Sequence, residues 1–145
     1  MSQPVLVPEL DVSDLDRSLG FYVGVIGFKV WFERAEERFA YLVLGDIHLM
    51  LEEAAGPGRR FRTAPLEYPF GRAVNLMINV PDSAALEARV RAAGLVPYIP
   101  LEERWYRQGQ AERGVRQFVA ADPDGYLMRF ATFMGKRPPA APGRA

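Results

Sequence analysis

Two copies of one pattern limit what this chain can fold into more than anything else in it. The stretch Val119-Ala120-Ala121-Asp122-Pro123-Asp124-Gly125-Tyr126-Leu127-Met128-Arg129-Phe130 reads as two strands joined by a tight Asp-Pro-Asp-Gly turn. Pro123 presets φ for the first central position, Asp122 can cap the turn with its side chain, and Gly125 tolerates the positive φ that closes it. The same design stands earlier as Leu42-Val43-Leu44-Gly45-Asp46-Ile47-His48-Leu49-Met50-Leu51. Overlaying the two sets Leu49-Met50-Leu51 on Leu127-Met128-Arg129 and implies a duplicated unit with equivalent positions in its halves.

The rest of the chain parses around these hairpins. Pro4 to Val12 reads as a first strand, Ser13 as an N-cap, and Leu15 to Val23 as a helix with Leu15, Leu19, Tyr22 and Val23 on its apolar face. Gly27 ends that helix as a C-cap would. Strands follow over 28–33, 38–44 and 47–53, with the charged run at 33–38 a solvated hairpin. Residues 54–72 form a connector rich in Gly, Pro and Arg. A fifth strand over 73–80, a helix through Leu86, Val90 and Ala93, and strands over 97–101, 115–121 and 126–133 repeat the order. The loop 102–114 interrupts the second copy, and 135–145 reads as a disordered tail. The fold class is α+β: two βαβββ repeats, 1–53 and 73–134, forming a concave mixed sheet.

Bulk properties exclude several functions. Eighteen basic and 18 acidic residues leave no net charge, so electrostatics favours neither nucleic acid nor a membrane surface. The absence of cysteine removes disulfides, thiolate metal sites and a cysteine nucleophile. With no apolar run of membrane-spanning length and no signal-peptide pattern, the expected location is the cytoplasm.

The segments Val12-Ser13-Asp14-Leu15-Asp16-Arg17-Ser18-Leu19-Gly20-Phe21-Tyr22, Gly27-Phe28 and Phe118 through Phe130 together resemble the vicinal oxygen chelate superfamily, the glyoxalase I, bleomycin-resistance and extradiol dioxygenase group. The resemblance covers roughly residues 4–133 and implies the fold just derived. Enzymes of that family hold a metal through one residue on the first strand and one on the fourth strand of each half. Carried over, those positions are Val7 and Leu51 in the first half, Asn75 and Arg129 in the second. Val7 and Leu51 offer no lone pair, Asn75 is a poor ligand, and Arg129 is an obligate cation. Three N, O or S donors are needed for a catalytic metal, so no metal and no cofactor are expected.

A cleft for binding remains. Strand alternation places Leu49 and Leu51 on its face and turns His48 and Met50 away. The lining is then Val7, Glu9, Leu49, Leu51, Asn75, Met77 and Arg129, joined by Phe39 and Tyr41. Trp105 and Tyr106, in the loop 102–114, suit stacking on a planar or cationic ligand, or serve to anchor that loop; both readings stay open. Trp31 and Phe32 read as core and dimer contacts. Glu9, Glu102 and Glu103 can meet a positive charge, and the pair Glu9 and Asp11 is the one candidate for acid–base work.

The resemblance is nearest to the bleomycin-resistance branch, where Phe39-Ala40-Tyr41 is similar to an aromatic segment that stacks on the drug. It implies a strand-sharing homodimer that sequesters a bulky planar or cationic antibiotic-like molecule without metal. Two alternatives stay open. One is a lyase, isomerase or dioxygenase with an atypical site; the other is a carrier or sensor in which Arg129 pairs an anionic metabolite.

Overall fold

The computed structural model describes residues 3–140, and they contain two four-stranded mixed sheets with few helices. In the first repeat β1 (Glu9–Val12), β2 (Lys29–Arg34), β3 (Phe39–Leu44) and β4 (Ile47–Glu53) lie in the order β1-β4-β3-β2. In the second, β5 (Asn75–Asn79), β6 (Ile99–Gln108), β7 (Ala111–Ala121) and β8 (Leu127–Arg137) lie in the order β5-β8-β7-β6. The first strand of each repeat pairs parallel to the fourth, and all other pairs are antiparallel. The duplication is therefore real at the level of topology. The chain divides into two compact units: residues up to Arg72 together with Asp122–Tyr126, and Ala73–Ala121 with the remainder.

Within the first unit, Leu10, Val12, Ala40, Leu42, Leu49 and Leu51 are buried, as the period-2 rule requires of one sheet face. Phe21, Tyr22 and Ile26, from the helical segment, are buried too. That segment is α-helical over Leu15–Leu19 (α1) and continues as a π-helix over Gly20–Ile26. Asp14 caps α1, its carboxylate accepting from the Arg17 amide at 3.2 Å; the cap expected at Ser13 lies one residue later. Gly27, at φ 105°, closes the helical segment in the left-handed region as expected. The helix of the second unit, α2 (Ser83–Ala92), is capped the same way by Asp82.

The Asp-Pro-Asp-Gly turn is held from within. Asp122 Oδ1 accepts from the amides of Asp124 and Tyr126, each at 2.9 Å, while the Tyr22 hydroxyl donates to Oδ2 at 2.6 Å. Gly125 sits at φ 91°, where only glycine is free of strain. Burial pushes the Asp122 carboxyl up despite these donors, and burial together with the Asp122 charge pushes the Tyr22 phenol well up.

Three expectations need correction. The first strand is shorter than 4–12, because Pro8 has no N–H for a ladder; its carbonyl accepts from the Met50 amide at 2.9 Å and the paired strand begins at Glu9. The stretch 102–114 is not a loop: β6 and β7 continue through it as a hairpin turning at Gly109, φ 62°. Cross-strand charges sustain that hairpin, with Arg116 donating to Glu103 at 2.9 Å. Order also continues past Gly135, since β8 reaches Arg137; residues 141–145 of the expected tail lie outside the described residues. No helix among the described residues is long and apolar enough to cross a membrane.

Candidate binding site

A cavity of about 280 Å³ opens on the first sheet, and Glu9, Phe39 and Tyr41 line it together with Phe32, Met50 and Glu52. Strand register explains the grouping. Glu9 stands opposite Met50, Met50 opposite Tyr41, and Tyr41 opposite Phe32, so one side chain from each strand meets on the face away from the buried leucines. Phe32 stacks on Tyr41 at 5.0 Å and 24°. A bulge between Val30 and Phe32 breaks the alternation of β2, so the neighbouring Trp31 ring also meets Tyr41, edge-on at 5.0 Å. The Tyr41 hydroxyl lies 2.7 Å from His48 Nδ1, and both side chains are buried.

These registers overturn the overlay made from sequence. Counting back from the matched Val12 and Val80 makes Glu9 equivalent to Met77, and these pair with Met50 and Arg129 respectively. The first-half equivalent of Arg129 is thus Met50, not Leu51. Leu51 is fully buried in the core and is no part of the cleft. Leu49, also buried, leaves the cleft list with it. His48 and Met50, expected to turn away, face the cavity side. A one-residue slip moves every side chain of a strand to the other face, and the two hairpin turns differ in length enough to cause it.

Acidic and basic groups meet around this cavity. Glu52 is 6% exposed and pairs with Arg60 at 2.8 Å; Arg62 donates to Asp11 at 2.9 Å. Both arginines come from the connector, whose Arg60 also donates to the carbonyls of Ala54 and Gly56 and, in a very short contact, of Glu53. Gly58 lets the connector lie against Glu52, since a Cβ there would fall 1.6 Å from the Glu52 carboxylate. Glu9 has no ion-pair partner among the described residues. Shielding of its carboxyl and then the neighbouring Glu52 carboxylate push its pKa up. Beside this cavity a larger one of about 750 Å³ lies under the connector, sharing Glu9 and Phe61 and adding Asp11, Arg62, Phe70 and Tyr126.

The remaining expected residues belong to the second unit. Asn75 and Met77 on β5 stand opposite Leu127 and Arg129 on β8, and Met77 is 43% exposed. Tyr106 shares that face through its hydroxyl, which accepts from Gln117 Nε2 at 2.8 Å. Trp105 does not: it packs on Gly114 across the hairpin, under the Arg137 guanidinium at 4.1 Å. Of its two open readings, anchoring of this hairpin is the one its contacts support. Phe32, Met50, Glu52 and the connector arginines were missed, although the parity of Glu9 with the fourth strand pointed to two of them.

The donor set at the four family positions, now Val7, Met50, Asn75 and Arg129, does not suit a metal: a thioether, one amide, an alkyl group and a cation. No cluster of three or more His, Asp or Glu able to hold a metal exists among the described residues.

The chain belongs to the Glyoxalase/Bleomycin resistance protein/Dioxygenase superfamily, whose family model matches residues 6–130. It is similar to the bleomycin resistance protein of Geobacillus stearothermophilus, 28% identical over 131 residues that cover 86% of this chain and 92% of that protein. It is also similar to glyoxalase domain-containing protein 4 of Rattus norvegicus, 30% identical over 89% of this chain but only 41% of that longer protein. Among solved structures, TioX from Micromonospora sp. ML1 matches with a TM-score of 0.71 at 23% identity, covering 89% of this chain and 98% of that one; this likeness is one of fold.

Proposed function

We propose that this chain is a metal-independent small-molecule binding protein that sequesters a planar, cationic, antibiotic-like ligand. The observation that carries the reading is the cavity on the first sheet, where the exposed Phe32 ring lies beside Glu9, backed by the buried Phe39 and Tyr41 rings it contacts. An aromatic wall holds a flat ligand with little loss of side-chain entropy, and the Glu9 carboxylate, in no ion pair among the described residues although Arg34 and Arg59 line the same cavity, attracts its positive charge. Similarity to proteins named for bleomycin resistance supports the ligand class. Sequestration needs affinity and no chemistry, which suits a site poor in metal donors.

The same reading assigns β2 to a second copy of the chain. Val30, Trp31 and Phe32 are 41%, 50% and 41% exposed on this edge strand, and an uncovered apolar edge invites pairing. In the proposed homodimer the partner closes the cleft beside Phe32.

Titration calorimetry of metal-assayed protein with metal-free and copper-bound bleomycin tests the proposal. Saturable binding at one ligand per chain, weakened at least tenfold by Phe39→Ala, is expected. No binding of either form, or affinity unchanged by Phe39→Ala in a folded variant, overturns it. Sedimentation showing a monomer at micromolar concentration removes the shared cleft.

A further inference from the structure

Phe39 lines the aromatic cavity and yet is only 3% exposed. The chain itself covers it. Phe32 leans against the ring at 6.1 Å and 36°, and the Arg34 guanidinium lies over it, 3.9 Å from the centroid. Register explains the overlap, since Arg34 at the end of β2 stands directly opposite Phe39 on β3. Arg34 Nε donates to the Glu37 carboxylate at 2.9 Å, and Glu37 lines the same cavity. The arrangement recurs within it: Arg59 lies over Phe61 at 4.8 Å, and both line the cavity too.

The ring on which a flat ligand would stack therefore already carries a flat cation, with a carboxylate at its edge. The hold on that cation is light. Among the described residues Glu37 is its one ion-pair partner, and the two side chains are 43% and 38% exposed. Exposed ion pairs and exposed cation–π contacts are each weak. The charge of Arg34 also reaches Glu9, where it opposes the rise of that carboxyl's pKa. An occupant that pushes Arg34 aside must replace a ring contact, a carboxylate contact and a positive charge near Glu9.

We propose that Arg34 is the specificity-determining residue of this cavity, holding the ligand's place on Phe39 and yielding to a ligand with a flat, delocalised cation of its own, an amidinium or guanidinium. The inference rests on the cation-binding reading of the cavity and narrows it. An aryl amidinium brings ring and charge in one plane, so it meets Phe39, Glu37 and Glu9 together while Arg34 turns out into water. A neutral ring of the same shape displaces Arg34 and restores none of the charge.

Nuclear magnetic resonance on the isotope-labelled full chain tests it, with benzamidine and its neutral isostere benzamide as probes. In the free protein the ring current of Phe39 should displace the Arg34 Nε–H signal. Benzamidine should move that signal saturably toward the position of an exposed arginine, with affinity at least tenfold above that of benzamide. Arg34→Lys keeps the charge, but its more strongly hydrated ammonium leaves the ring open, so benzamidine should bind it several-fold tighter. Were Arg34 merely a repelling charge, Arg34→Lys would change nothing. Benzamidine bound with the Arg34 signal unmoved, equal affinities for the two probes, or no saturable binding overturns the inference, and these readouts need no variant. Bleomycin bound while the Arg34 signal stays in place refutes this inference and keeps the sequestration reading. Benzamidine displacing Arg34 in a protein that ignores bleomycin does the reverse.

Discussion

Glu52 and Arg60 meet at 2.8 Å with side chains only 6% and 16% exposed, and this pair fastens the connector to the binding face. Taking one partner away leaves the other charged and shielded from water. Arg60→Met should therefore destabilise the protein by roughly 2–3 kcal/mol, somewhat below the fully buried case. Glu52→Gln combined with Arg60→Met should recover most of that loss. Urea unfolding of the single and double variants checks this. A double variant as unstable as the sum of the singles would mean the pair is not coupled.

Tyr41 and His48 depend on each other in a different way. Their 2.7 Å hydrogen bond is buried, and Trp31 meets both rings. Tyr41→Phe leaves the His48 ring nitrogen unanswered and should cost about 1–2 kcal/mol while keeping the aromatic wall. Ligand affinity should accordingly fall far less than in Phe39→Ala. Thermal unfolding and titration of Tyr41→Phe measure the two effects separately.

How much of this was legible in the sequence differs between fold and site. The repeats could be read because each rests on local signals: Asp122, Pro123 and Gly125 in one turn, Gly27 ending one helix. Glu9, Phe39 and Tyr41 could be placed because they lie on strands whose parity the pattern fixes. Leu51 was misplaced because parity was carried across hairpins of unequal turn length, where a slip of one residue exchanges Met50 for Leu51. The hairpin of β6 and β7 escaped because Glu102 to Gln108 is polar on both faces and shows no period of two. The arginines of the connector gave no signal at all: ion pairs such as Arg62 with Asp11 span 51 residues, and no local pattern announces them.

Gly114 offers a test of that hidden hairpin. Trp105 covers it so closely that a Cβ would fall 2.7–2.8 Å from three ring atoms. An aromatic ring laid over a cross-strand glycine stabilises the pairing. Gly114→Ala should push the indole off the sheet, lower stability by about 1–2 kcal/mol and red-shift the emission of Trp105. The measurement is made in a Trp31→Phe background, since Trp31 is the other tryptophan. An unchanged spectrum would show that the ring does not sit on Gly114 in solution.

The last prediction concerns pH and follows from Glu9. Its pKa is raised, by shielding first and then by Glu52, so the folded chain holds this proton more tightly than the unfolded one. A raised pKa contributes stability that is complete below the unfolded carboxylate value and is lost as pH rises through the folded value. Glu9→Gln never carries the charge and escapes that loss. Its stability relative to the unaltered protein should therefore increase as pH rises out of the ordinary carboxylate range, and the two should converge in acid. Binding must run the other way. A cationic ligand needs the ionised carboxylate, so affinity should fall as pH drops through the raised Glu9 value, and Glu9→Gln should flatten that profile. Urea unfolding and calorimetry across this range provide both curves. Parallel stability curves would remove the assigned shift, and a profile that Glu9→Gln leaves unchanged would remove Glu9 from the site.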